Sequence, residues 1–156
     1  MTHPHFSPDV SDFLGLLSRH GVRYLIVGGE AVIHYGHARL TGDIDVFYDR
    51  TTDNTRALYD ALREFWRGAV PGMDDPQELL DSGAIFQFGV PPNRIDLLNT
   101  IDGVSFEECW VHRVETVVVP DIPVIYIGLA ELIRNKAACG REKDLDDLRY
   151  LRRIGA

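Results

Sequence analysis

Apolar residues first recur at helical spacing, in Val10, Phe13, Leu14 and Leu17, and then run almost unbroken from Val22 to Val27. The first pattern predicts a helix with one buried stripe, the second a buried strand. Ser7-Pro8-Asp9 supplies the helix with an N-cap, a proline at its first position and an acid in its first turn, and Gly21 is its stop. Gly28-Gly29 breaks the strand, and Glu30 to about His37 is a short helix-compatible stretch that Gly36 ends. Asp43 to Asp49 predicts a second strand. Thr51 to Trp66 predicts a helix capped by Thr52 or Asp53, with Leu58, Ala61, Leu62 and Phe65 as its stripe.

A Pro- and Gly-rich loop from Val70 to Pro76 precedes a brief helical turn ending at Leu80. Residues 85–90 and 94–98 flank Pro91-Pro92-Asn93 and predict a β-hairpin. Ser105 to Trp110 is helical or irregular, and Val114–Val119 and Val124–Ile127 predict short strands around Pro120-Asp121-Ile122-Pro123. Leu129–Ala138 and Glu142–Ile154 are two helices separated by Gly140, the second with Leu145, Leu148 and Leu151 inward. The pattern is that of one α/β (α+β) domain over residues 1–156, with a core at about 22–127 and a helical tail at about 128–154.

Composition narrows the partners. The chain of 156 residues is 45% apolar and 26% charged, ordinary values for a globular protein. No apolar run reaches the ~18 residues of a membrane span, and Met1-Thr2-His3-Pro4-His5 is too polar for a signal peptide. Cys109 and Cys139 form neither a metal-binding spacing nor a disulfide framework, which fits reduced thiols and a cytoplasmic location. A net charge of −8 argues against strong general binding to nucleic acid.

Candidate chemistry gathers between Val27 and Phe47. In a strand over Asp43-Ile44-Asp45-Val46-Phe47, Asp43 and Asp45 share one face. Two neighbouring carboxylates repel, and a divalent cation with oxygen ligands, magnesium or manganese, keeps both ionised. Gly28-Gly29 allows a backbone to approach a phosphate closely, with free N–H groups from the residues that follow. Asp96 is a lone acid among Ile95, Leu97 and Leu98. It has two readings: an ion pair with its same-face neighbour Arg94, or a third carboxylate beside Asp43 and Asp45.

The ordered set Gly28-Gly29, Arg39, Thr41, Asp43-Ile44-Asp45 and a later strand Asp96 resembles the nucleotidyltransferase superfamily related to DNA polymerase β. The tail, with Lys136 followed by Arg141-Glu142-Lys143-Asp144 and Asp147-Leu148, is similar to the small bacterial branch of AbiEii-type toxins and stand-alone domains. The resemblance spans about Tyr24 to Leu151. It implies a mixed β-sheet flanked by helices, and two Mg²⁺ ions held by Asp43, Asp45 and Asp96, with Mn²⁺ as substitute. It further implies transfer of a nucleoside monophosphate from an NTP such as ATP to an acceptor: RNA or tRNA, a protein, or a small molecule such as an antibiotic. Gly28 and Gly29 would contact the triphosphate, Asp96 would serve the metal nearest the acceptor, and Asp43 and Asp45 would bridge the metals.

Such a reaction also needs cations for the leaving pyrophosphate. Arg39 is placed to form a bidentate fork, and Lys136 and Lys143 are point charges on phosphate, each set against a plain surface role. Thr41 is a candidate for orienting the loop before Asp43. Asp144 and Asp147 read as helix electrostatics with Arg141 and Lys143, and Glu30 is expected to turn away from the phosphate. His34 and His37 lie a helical turn apart with no third ligand in view, and Tyr24, Phe86, Phe88 and Trp110 fit core positions. Two other readings compete: a toxin–antitoxin component acting through a cognate partner protein, and a sensor that binds NTP without turnover.

Overall fold

The computed structural model describes residues 6–118 and 121–155. Helix α1 (Pro8–Arg19) begins as its sequence dictates, with Ser7 accepting from the Val10 amide and Pro8 at the first turn. Strand β1 (Tyr24–Val27) is buried along its whole length. Helix α2 (Gly28–His34) follows with no intervening loop, so the two glycines form its first turn rather than a break before it. Strand β2 (Asp43–Tyr48) leads through Thr51 into α3 (Thr52–Phe65). Thr51, not Thr52 or Asp53, is the cap: its backbone is extended and its hydroxyl accepts from the Asn54 amide.

A 3₁₀ turn (Pro76–Leu80) precedes the hairpin of β3 (Ile85–Phe88) and β4 (Arg94–Leu98). Helix α4 (Phe106–Val111) starts on a reciprocal capping box between Ser105 and Glu108. Strands β5 (Val114–Val118) and β6 (Ile122–Tyr126) pair antiparallel, with β6 starting two residues earlier than its apolar run suggests, so Ile122-Pro123 of the expected turn are strand, while Val119 and Pro120 lie outside the described residues. Helices α5 (Leu129–Cys139) and α6 (Glu142–Ile154) are divided by Gly140, which takes the left-handed conformation at φ 66.

The strands form one mixed six-stranded sheet in the order β3-β4-β2-β1-β6-β5. Pairs β2–β4 and β1–β6 are parallel, and the other neighbours are antiparallel. Alternation decides which side chains reach the site. Ile44, Val46, Ile95 and Leu97 point into the core, while Asp43, Asp45, Arg94, Asp96 and Leu98 alternate to the other face. Helix α1 packs on α3 and β6, and α5 packs on α6. Tyr24 and Phe88 are buried and Phe86 and Trp110 half-buried against the core, as their spacing predicts.

The tail departs from its expected stripe. Leu148 and Leu151 are buried, but Leu145 is 43% exposed, and Asp144 and Asp147 are buried instead. A hydrophobic period cannot show this inversion, because the aspartates are accepted inward by cations from other parts of the chain.

Candidate active site

Parallel pairing of β2 with β4 sets Asp45 opposite Asp96 and Asp43 opposite Arg94, and antiparallel pairing sets Val27 opposite Asp45. Carboxylate oxygens of Asp43, Asp45 and Asp96 thereby lie within 4.8 Å of one another. They line a cleft of about 650 Å³ whose walls include Gly28, Gly29, Arg39, Thr41, Lys136 and Lys143. Every residue singled out in the sequence for catalysis or nucleotide binding is thus in one cleft. A separate cavity of about 360 Å³ lies at the starting ends of β1 and β6 and contains none of them.

Both readings of Asp96 hold together. Arg94 donates from Nε to Asp96 at 3.0 Å and from Nη2 to Asp43 at 2.6 Å, so its guanidinium spans the acid cluster. The Asp45 carboxylate has no hydrogen-bond partner among the described residues. Burial, with Asp43 and Asp96 beside it, pushes its carboxyl up to about 7, against the pull of Lys136 and Arg94. Burial and the nearby Asp43 also raise Asp96, although Arg94 opposes them. Three acids at this spacing, one of them without a partner, suit a hard divalent cation such as magnesium or manganese.

The glycines have a structural cause visible only in three dimensions. Gly28 sits at φ +68, and a Cβ there would fall on the Asp45 carboxylate. A Cβ on Gly29 would lie 2.8 Å from both Arg39 Nη1 and Thr41 Oγ1. Thr41 donates to the backbone oxygen of Asp43 at 3.2 Å, so it orders the approach to β2.

The remaining wall is cationic. Lys136 is 4% exposed, donates to Asp144 at 3.0 Å and forms an ion pair with Asp147 at 3.2 Å. Arg39 grips both oxygens of Asp147, at 2.9 and 3.2 Å, and Arg141 donates to Asp144 at 2.6 Å. Burial opposes the charge of Asp144, but hydrogen bonds from Arg141 and Lys136 outweigh it and hold its pKa below the usual value. The tail aspartates therefore anchor three of the cleft's cations, more than helix electrostatics with Arg141 and Lys143. Lys136 is accordingly a fixed buried charge, neither a free point charge nor a surface residue. Arg141 lines the cleft as well, a role its place between two helices does not reveal.

Other residues keep structural roles. Glu30 is buried and does not line the cleft, so it turns away from it, but inward rather than to solvent. His34 stacks on Tyr126, and burial lowers its pKa. His37 has the acid neighbours its sequence context hides, Asp146 at 3.2 Å and Asp147 at 3.9 Å. Since Arg39 and Lys136 already hold Asp147, and His37 stacks on Tyr150, this group ties α2's exit loop to α6. Cys109 is buried and Cys139 half-buried, both as thiols. His3 and His5 lie outside the described residues.

A family model described as "Nucleotidyl transferase of unknown function (DUF2204)" matches residues 7–155. The chain belongs to that family. The match covers both β2–β4 with their acids and the α5–α6 tail, so the cleft and its cationic wall fall within the family region. No curated protein sequence matches the chain. Among the described residues no helix is long and apolar enough to cross a membrane.

Proposed function

We propose that this member of the nucleotidyl transferase family moves a nucleoside monophosphate from an NTP to a hydroxyl-bearing acceptor at the Asp43–Asp45–Asp96 cluster. One observation carries the reading: three carboxylates converge from two parallel strands while a cationic wall faces them across the same cleft. Asp43, Asp45 and Asp96 would hold divalent magnesium or manganese, which when bound supplies charge neutralisation and activation of the attacking hydroxyl.

The chain's own residues divide the rest. Thr41 and Arg94 orient Asp43, and Arg94 also orients Asp96. The Gly28-Gly29 backbone leaves room for the Asp45 carboxylate and lines the side where the triphosphate would lie. Charge developing on the leaving pyrophosphate is met by Lys143 and by Arg39, Lys136 and Arg141, which Asp144 and Asp147 pre-set in position. Prefixed donors of this kind need no reorganisation during reaction.

The test is incubation of the full chain with each NTP labelled on its α-phosphate, with magnesium or manganese and a cell extract. The expected result is metal-dependent transfer of label that Asp45→Asn and Asp96→Asn abolish. Label transfer unaffected by both substitutions would place the chemistry elsewhere.

A further inference from the structure

One corner of the cleft, where the turn after β4 rests on α5, is built from hydrogen-bond-accepting oxygens. Asn135 on α5 is only 6% exposed, yet it lines the cleft. Its amide nitrogen donates to the Asp102 carbonyl at 2.9 Å and to Cys139 Sγ at 3.8 Å. Those bonds fix the amide, because turned over it would set its oxygen against another carbonyl oxygen. Among the described residues, the enclosed side-chain atoms without a partner are Arg23 Nε and Trp66 Nε1. Asn135 Oδ1 has no hydrogen-bond partner either, but it is not enclosed, so it faces the cleft. Asp102 is exposed at the same corner, and its carboxylate forms no ion pair among the described residues.

The cations nearby are already paired. Lys136, the next residue of α5, is held between Asp144 and Asp147, and Arg134 is held by Glu108 and the Gly103 carbonyl. The corner therefore selects a ligand by what the ligand can donate. Phosphate oxygens only accept, and the carboxylate and the amide oxygen repel them. The Watson–Crick edge of a nucleobase mixes donors with acceptors, so this corner satisfies one and strands the other. An ammonium has three N–H donors and no acceptor, and the Asp102 carboxylate matches its charge. A net charge of −8 draws such a cation in from a distance.

We propose that the acceptor substrate is a small hydroxylated amine, its ammonium held by Asn135 Oδ1 and the Asp102 carboxylate while its hydroxyl lies at the acid cluster. This rests on the reading of Asp43, Asp45 and Asp96 as the transfer site. The hydroxyl oxygen forms a bond to the α-phosphorus, the bond from that phosphorus to the β-phosphate oxygen breaks, pyrophosphate leaves, and the hydroxyl proton passes to a carboxylate of the cluster. The ammonium takes no part in the chemistry. It decides which hydroxyl is presented.

The experiment gives the full chain magnesium, α-labelled NTP and linear amino alcohols of increasing length, with diols of the same lengths as controls lacking the amine. In parallel it is given the protein, RNA and low-mass fractions of a cell extract, the last parted on a cation exchanger. The expected result is label on amino alcohols but not on their diols, and in the low-mass pool that the exchanger retains. Asp102→Asn and Asn135→Ala should each cut that label at least about tenfold, the weight of one charge-assisted hydrogen bond. The NTP- and magnesium-dependent rise in melting temperature should stay as in wild type. Asp102 is exposed, so its variant tests the corner even where Asn135→Ala loosens the turn that Asn135 anchors. Label in the unretained pool, in RNA or in protein overturns the amine acceptor and leaves nucleotidyl transfer standing. Equal labelling of amino alcohols and diols, or amine label that Asp102→Asn leaves intact, overturns the corner as an ammonium site. No label anywhere, with the melting rise intact, also overturns the amine acceptor; no label and no such rise overturns the nucleotidyltransferase reading itself.

Discussion

Gly28 is a glycine because Asp45 occupies the space its side chain would need. Val27 pairs with Asp45 across β1 and β2, so the chain turns into α2 directly beside that carboxylate. The motif's first glycine and its second aspartate are one packing unit, and the positive φ at Gly28 is its backbone half. This relationship makes the glycine sensitive in a specific way.

Gly28→Ala is expected to destabilise the protein by about 1–3 kcal/mol, from the left-handed backbone together with displacement of Asp45. Gly21→Ala is the control, since Gly21 also sits at φ +68 but a Cβ there meets nothing within 4 Å. Thermal melting of the two variants separates backbone cost from clash. Only Gly28→Ala should also weaken the melting shift caused by magnesium.

Asp45 gives a pH signature in metal-free buffer. Its carboxyl lies at about 7 in the folded chain, above the ~3.9 of an unfolded aspartate. Between these values the folded state binds more protons than the unfolded, so stability falls as pH rises, by at most about 1.4 kcal/mol per pH unit for this one group. Asp45→Asn should flatten that part of the profile and raise the metal-free melting temperature near pH 8. Asp43→Asn should bring no such gain, because Asp43 already has Arg94 as a partner. Denaturant titrations across pH 4–8 check both.

Arg94 supplies the positive charge that the cluster needs when no metal is bound. Arg94→Gln leaves Asp43 and Asp96 without their shared cation and is expected to lower the melting temperature in metal-free buffer. The same variant should show a larger rise in melting temperature with magnesium than the wild type does. An equal rise in both would mean that the guanidinium does not compete with metal for these oxygens.

Lys136→Met removes the charge shared by two buried aspartates. Leaving a buried charge uncompensated costs about 3–5 kcal/mol, less whatever Arg141 and Arg39 recover for Asp144 and Asp147. The deficit should shrink as pH falls below the ordinary carboxylate range, where Asp144, held low in the wild type, takes up its proton, which urea unfolding at about pH 3 and pH 7 would reveal. A pH-independent deficit would point to lost packing of the lysine stem instead.

The order of elements was legible along the chain because local periods and caps write it there: Ser7-Pro8 before α1, the alternation of Asp43, Ile44, Asp45 and Val46 on β2, and Gly140 between α5 and α6. The acids of the site and the family resemblance were legible for the same reason, since a strand's period alone puts Asp43 and Asp45 on one face. Partner choice was not. Leu145 and Asp144 are adjacent, and only the distant Lys136 and the neighbouring Arg141 explain why the charged residue is the buried one. Likewise Arg39 and Asp147 are far apart in sequence yet bidentate in space, and the register of β2 against β4 lets Arg94 join Asp43 to Asp96. Local sequence determined which residue types this protein has to work with and the faces they occupy. Tertiary packing decided which charges neutralise one another, because burial of an ion is set by whatever other segments bring to it.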